Sequence, residues 1–244
     1  MRNFLLMVLA VVWPLTAHAG PNLNPEHGDA AYQAWSILSP DVADPSDYKD
    51  NVIVYFHGFR SAVPNGTYKR IRKKFKKTHT VLGVNYNYLN IAETVKNLDE
   101  FAETHLKGRN VTVFGTSLGG FWAEYFGNRI GANKIVQINP LSDPAKQLEK
   151  YAGTTQKSKR RQTAFTVTLD EVHSYKDVPR TANPATSSLV VLTADDQLLD
   201  HKVAQAFYAS RDRTKVSIYP TGGHTIDLRK HEAAKEIGTF VWDK

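Results

Sequence analysis

Apolar residues in this chain follow two rhythms. Short runs rich in apolar residues recur, among them Asn51-Val52-Ile53-Val54-Tyr55-Phe56, Val111-Thr112-Val113-Phe114, Lys134-Ile135-Val136-Gln137-Ile138-Asn139-Pro140 and Ser188-Leu189-Val190-Val191-Leu192-Thr193. A continuous run of this kind marks a strand covered on both faces, as in a parallel sheet. His79–Val84 and Val216–Tyr219 read as two further strands. Between the runs the apolar positions return every third or fourth residue, the helical period. Ile91, Val95, Leu98, Phe101, Ala102 and Leu106 fall on one face of a helix over Asn90–Lys107, which Gly108 ends. Helices are likewise predicted over Thr67–Thr78, after Ser117, over His201–Arg211 and over about Arg229–Trp242. Alternating strands and helices imply right-handed crossovers and a mostly parallel sheet flanked by helices on both faces. Ligands then bind beyond the carboxyl ends of the strands, so functional residues belong just after each one.

Those positions carry consistent chemistry. The run ending at Phe114 enters Gly115-Thr116-Ser117-Leu118-Gly119 and leaves as a helix. This is the context in which Gly-x-Ser-x-Gly builds a sharp elbow exposing a nucleophilic hydroxyl. His57-Gly58-Phe59 follows the first strand. There Gly58 lets the backbone pass close to the elbow, and the Phe59 N–H joins that of Leu118 as an oxyanion donor. His57 reads as structural, because the catalytic histidine of such a fold comes late in the chain. Ala194-Asp195-Asp196-Gln197-Leu198-Leu199-Asp200 follows the fifth strand, and its three carboxylates compete to orient an imidazole. Asp196 is favoured, with Leu198-Leu199 closing the loop onto the core, and Asp195 is the runner-up. Thr221-Gly222-Gly223-His224 follows the sixth strand and presents His224 as general base. The order Ser117, Asp196, His224 is the order of α/β-hydrolases. Tyr86 and Tyr88, after the second strand, are candidate pocket residues.

On these motifs, with Ile138-Asn139-Pro140, the chain from Asn51 onward resembles the α/β-hydrolases, and more narrowly the small bacterial YqiA/YcfP-type esterases. The resemblance implies a Ser117–Asp196–His224 triad without cofactor or metal, acting on short acyl esters. Thioesterase, lysophospholipase or acyltransferase chemistry would use the same triad. A non-catalytic envelope-binding protein on the same scaffold is the alternative from another class.

Composition then bounds the setting. The chain has 244 residues, 41% hydrophobic, enough for a sizeable core. Met1-Arg2-Asn3, an apolar run from Phe4 to Leu15 and Ala17-His18-Ala19 have the form of a secretory signal cleaved after Ala19, predicting a periplasmic or secreted protein. Residues 20–50 form an N-terminal arm read as packed rather than regular. No cysteine is present, so a thiol nucleophile and a thiolate metal site are excluded, and the nine histidines lack ligand spacing. Leu141–Thr186 is longer than an ordinary connection and reads as a lid-like insertion or as a solvated crossover segment with no substrate role, helical over Ala145–Tyr151 and an exposed loop over Thr154–Gln162. The formal net charge is +7, densest at Arg70-Ile71-Arg72-Lys73-Lys74-Phe75-Lys76-Lys77. No nucleic-acid module accompanies that run. The run reads as the solvated face of a helix covering the sheet or, in an exported protein, as suited to an anionic lipid or lipopolysaccharide surface.

Overall fold

The computed structural model describes residues 35–158 and 164–243. The expected signal peptide, the arm up to residue 34 and the basic residues 159–161 of the insertion lie outside them. The elements, in chain order, are β1 (Ser36–Leu38), β2 (Asn51–Phe56), α1 (Gly66–Phe75), β3 (Thr80–Asn85), α2 (Ile91–Phe101) and β4 (Asn110–Thr116). There follow α3 (Leu118–Arg129), β5 (Lys134–Ile138), α4 (Pro144–Gln147), β6 (Thr155–Lys157), β7 (Ala164–Thr166) and α5 (Leu169–His173). The chain continues through β8 (Ser187–Thr193), α6 (His201–Tyr208), β9 (Thr214–Tyr219) and α7 (Ala233–Trp242).

One sheet runs β1-β3-β2-β4-β5-β8-β9, parallel throughout except for β1. Its two faces are built by the alternation of side chains along each strand. Val52, Val54 and Phe56 of β2 join Leu98 and Phe101 of α2 and Phe121, Trp122 and Phe126 of α3 in one core. Ile53 and Tyr55 point the other way, to Tyr68, Ile71 and Phe75 of α1 and Ile237 and Val241 of α7. Each such side chain, fully buried, contributes about 1.5–3 kcal/mol. The strands are apolar on both faces because both faces are covered.

The structure corrects three expectations. The arm is regular where it meets the sheet: Ser36–Leu38 pairs antiparallel with β3, with Ser36 opposite Asn85. The stretch read as an exposed loop from Thr154 contains β6, which pairs with β7 at Gln156↔Phe165. Gln and Lys hid this strand, since only Phe165 across from it is buried. The last helix starts at Ala233, because the Lys230 and His231 N–H groups turn back onto the Asp227 carbonyl at 3.0 Å.

Candidate active site

The site is assembled from the ends of β2, β4, β5, β8 and β9. At the end of β4 a single residue separates strand from helix: β4 stops at Thr116 and α3 starts at Leu118. Ser117 takes φ 56° and ψ −126°, a conformation that a non-glycine residue holds only where its surroundings impose it. The imposition is visible. Its N–H donates to Ile138 O at 3.0 Å, and its carbonyl accepts from Gly120 N at 2.8 Å and Leu141 N at 3.1 Å. Two glycines make the turn sterically feasible. A Cβ on Gly115 would fall 1.9 Å from Gly119 O, and one on Gly119 would fall 2.2 Å from Phe56 O. Ser117 sits at the cap position of α3 yet makes no capping hydrogen bond, so its hydroxyl is not used to hold the helix.

His224 reaches the site on the loop after β9. Its Nδ1 lies 2.8 Å from Asp196 Oδ2, with the Asp196 side chain 2% and the His224 side chain 18% exposed. Burial pushes the Asp196 carboxyl up. The hydrogen bonds from His224 and from the Leu198 and Leu199 N–H groups outweigh burial and hold it below its ordinary value. The ionised carboxylate accepts, so Nδ1 carries the proton and Nε2 is left for the cavity. Asp196 Oδ1 is fixed by Leu198 N at 2.8 Å and Leu199 N at 3.1 Å. The neighbouring acids do other work. Asp195 accepts from Gly222 N at 3.2 Å and Gly223 N at 2.8 Å, and Asp200 caps α6 through Lys202 N.

One residue central to this arrangement carried no individual role in the sequence reading. Asn139, after β5, is 3% exposed with φ 43°. Its Nδ2 donates to Gly223 O at 3.0 Å, Thr193 Oγ1 at 3.1 Å and His224 O at 3.2 Å. Its Oδ1 accepts from Thr193 N at 2.9 Å, and Thr193 Oγ1 donates on to Gly223 O at 2.8 Å. The Asn139–Thr193 pair therefore ties the histidine loop to the strand ends. The signal available in sequence was an Asn-Pro at the end of a buried strand.

Ser117 and His224 open on a cavity of about 330 Å³, within the range of small-molecule sites. Gly58, Phe59, Leu198 and Leu199 line it from the strand-end loops, and Leu148 and Tyr151 from the insertion. The Phe59 ring stands 5.2 Å from Tyr151 and 5.9 Å from Phe165, so the insertion roofs the site through aromatic contacts. The Leu118 N–H is the first of α3 and by position has no intrahelical acceptor. The Phe59 N–H takes no backbone acceptor among the described residues. Tyr86 and Tyr88 do not line the cavity. Each is 2% exposed; Tyr86 stacks on His57 at 4.6 Å, and Tyr88 packs 5.0 Å from Phe59, behind the wall. His57, 2% exposed, donates through Nδ1 to Gly58 O at 2.9 Å.

Residues 52–224 match the family described as Uncharacterised protein family (UPF0227). The chain belongs to that family. No curated protein sequence matches it. Among solved structures it is similar to Est1E from Butyrivibrio proteoclasticus, at 13% identity and TM-score 0.61, covering 89% of this chain and 98% of that one. The soluble variant of monoglyceride lipase from Saccharomyces cerevisiae is similar at 11% identity and TM-score 0.59, with 86% and 91% covered. Mouse alpha/beta hydrolase domain-containing protein 10 gives 12% identity and TM-score 0.58, with 85% and 90% covered. At these identities the likeness is one of fold, and the fold is that of the α/β-hydrolases.

Proposed function

We propose that the protein is a serine hydrolase cleaving carboxylic esters through an acyl-enzyme. The observation that carries this reading is the 2.8 Å contact between Asp196 and His224, with His224 and the elbow residue Ser117 facing one cavity. Ser117 Oγ attacks the ester carbonyl while His224 Nε2 takes its proton. The tetrahedral oxyanion is held by the Phe59 and Leu118 N–H groups. The imidazolium, stabilised by Asp196, returns the proton to the departing alcohol, and water then repeats the sequence to free the acid. The monoglyceride lipase among the similar folds favours esters as the substrate class.

Ser117→Ala tests the reading directly. Hydrolysis of a p-nitrophenyl ester should fall by several orders of magnitude; full retained activity would overturn it.

We also place this activity outside the cytoplasm, on the strength of the signal-like residues 1–19. No helix among the described residues is long and apolar enough to cross a membrane. On the basic helix, Arg72 pairs with Asp41 and Arg70 with Asp227, leaving Lys69, Lys73, Lys76 and Lys77 exposed. Those lysines support a weak, salt-sensitive attraction to anionic lipid. Co-sedimentation with vesicles containing phosphatidylglycerol at low salt, and none with purely zwitterionic vesicles, is the expected result; equal partition would refute it.

A further inference from the structure

Charge at the cavity is one-sided. Arg60, Arg70 and Lys150 are among the residues lining it, and none of the lining residues is an aspartate or glutamate. The chain as a whole carries 24 acidic against 31 basic residues, so this wall departs from the average surface. The three cations come from different elements. Arg60 follows the oxyanion-loop residue Phe59, Lys150 belongs to the insertion and Arg70 to α1.

Two of them converge on one ring. The Arg60 guanidinium lies 5.6 Å and the Lys150 ammonium 5.4 Å from the Tyr151 centroid, and Arg60 also lies 5.9 Å from that of Phe59. Aromatic faces support the cations without neutralising them. The Arg60 Nη1 donates to a neutral group, Gln156 Oε1, at 3.0 Å. Neither Arg60 nor Lys150 has a carboxylate within ion-pair distance among the described residues. Arg70 differs: its Nε lies 3.3 Å from Asp227, which also pairs with Arg229. Its terminal nitrogens lie over Gly66, itself a lining residue, where a Cβ would come 3.4 Å from Nη1. Arg70 is thus anchored through one nitrogen and presents the others to the cavity side. Guanidinium and ammonium groups beside an aromatic-walled pocket match a carboxylate or phosphate better than an uncharged chain.

We propose that the ester substrate carries an anionic group, a carboxylate or a phosphate, held by Arg60 and Lys150 and assisted by Arg70, while the ester carbonyl lies at Ser117. The proposal rests on the esterase reading above and narrows its substrate class.

The test compares isosteric charged and neutral esters. On the alcohol side, para-acetoxybenzoate and para-acetoxyphenyl phosphate are set against para-acetoxybenzamide; on the acyl side, monomethyl adipate is set against its terminal amide. The full chain should show a kcat/KM about tenfold higher for the charged member in at least one arm, the size of one charge-assisted contact. The arm that responds tells which part of the substrate bears the charge, and the benzoate and phosphate members separate the two anions. In the Arg60→Gln/Lys150→Gln double variant the charged-to-neutral ratio should fall most of the way to one, and Arg70→Gln should lower it less, because Asp227 already shares that charge. Calorimetric titration of Ser117→Ala protein with the same pairs reads the preference as binding, without turnover. Neutral esters cleaved through Ser117 with no preference for charge, or a preference undiminished in the double variant, overturn the proposal and leave the esterase reading standing. Anion binding to the Ser117→Ala protein without ester cleavage by the unmodified chain would instead sink the esterase reading, and with it the ester as the ligand, while the anion site stands.

Discussion

Replacing Asn139 probes the support of the histidine loop rather than its chemistry. Asn139→Ala removes the acceptor of the buried Thr193 N–H and the donor shared by the Gly223 and His224 carbonyls and Thr193 Oγ1. It also leaves alanine at φ 43°, a region asparagine tolerates and alanine does not. The orphaned N–H costs about 1–3 kcal/mol, the weakened carbonyl about 1, and the left-handed backbone about 1, for a total of about 4 kcal/mol. For a domain of this size that lowers the melting temperature by about 10 °C. Asn139→Gly removes the same hydrogen bonds without the backbone penalty, so it should be about 1 kcal/mol milder. The difference between the two variants isolates the strain, and their shared loss isolates the hydrogen bonds. Urea unfolding followed by tryptophan fluorescence gives both. Ester turnover should fall in each variant by about 10²-fold in fully folded protein, since a displacement of about 1 Å is enough to misplace the imidazole. If both variants keep wild-type stability and turnover, Asn139 does not hold the loop and the reasoning is wrong.

Other outcomes follow from the same geometry. Asp196→Asn should cut kcat by about 10³–10⁴-fold through loss of the correct imidazole tautomer, whereas Asp195→Asn, which touches only loop N–H groups, should cost far less in a p-nitrophenyl ester assay. Gly119→Ala places a methyl 2.2 Å from Phe56 O and 2.6 Å from His57 O, backbone atoms that cannot give way, so soluble yield and cooperative melting should be lost. Burial lowers the His79 and His105 pKa values from the usual 6.5, so the unfolded chain takes up protons first on acidification. Their contribution is complete above about pH 6.5 and is lost as the pH falls towards the folded-state values, so melting temperature should drop from pH ~7.5 to ~5 and His79→Gln should flatten the slope.

The sequence made the sheet legible because its strands are buried on both faces, which leaves unbroken apolar runs such as Val52–Phe56. It singled out the candidate trio because each member follows a strand, and Asp196 rather than Asp195 meets His224 in the structure. What escaped was whatever depends on partners distant in sequence. Ser36–Leu38 is a strand only by pairing with β3, and β6 only by pairing with β7. Tyr86 and Tyr88 follow a strand as pocket residues should, yet tertiary packing turns them behind Phe59 and His57. The role of Asn139 is set by carbonyls 84 and 85 residues further on, which no local pattern encodes.

The nucleophile itself is open to one direct measurement. The folded chain is treated with a fluorophosphonate probe and the modified residue is located by peptide mass spectrometry, with His224→Ala in parallel. A single adduct on Ser117, lost or greatly slowed in His224→Ala, is the result predicted here. Folded protein that takes no label, or label on a serine other than Ser117, would contradict it.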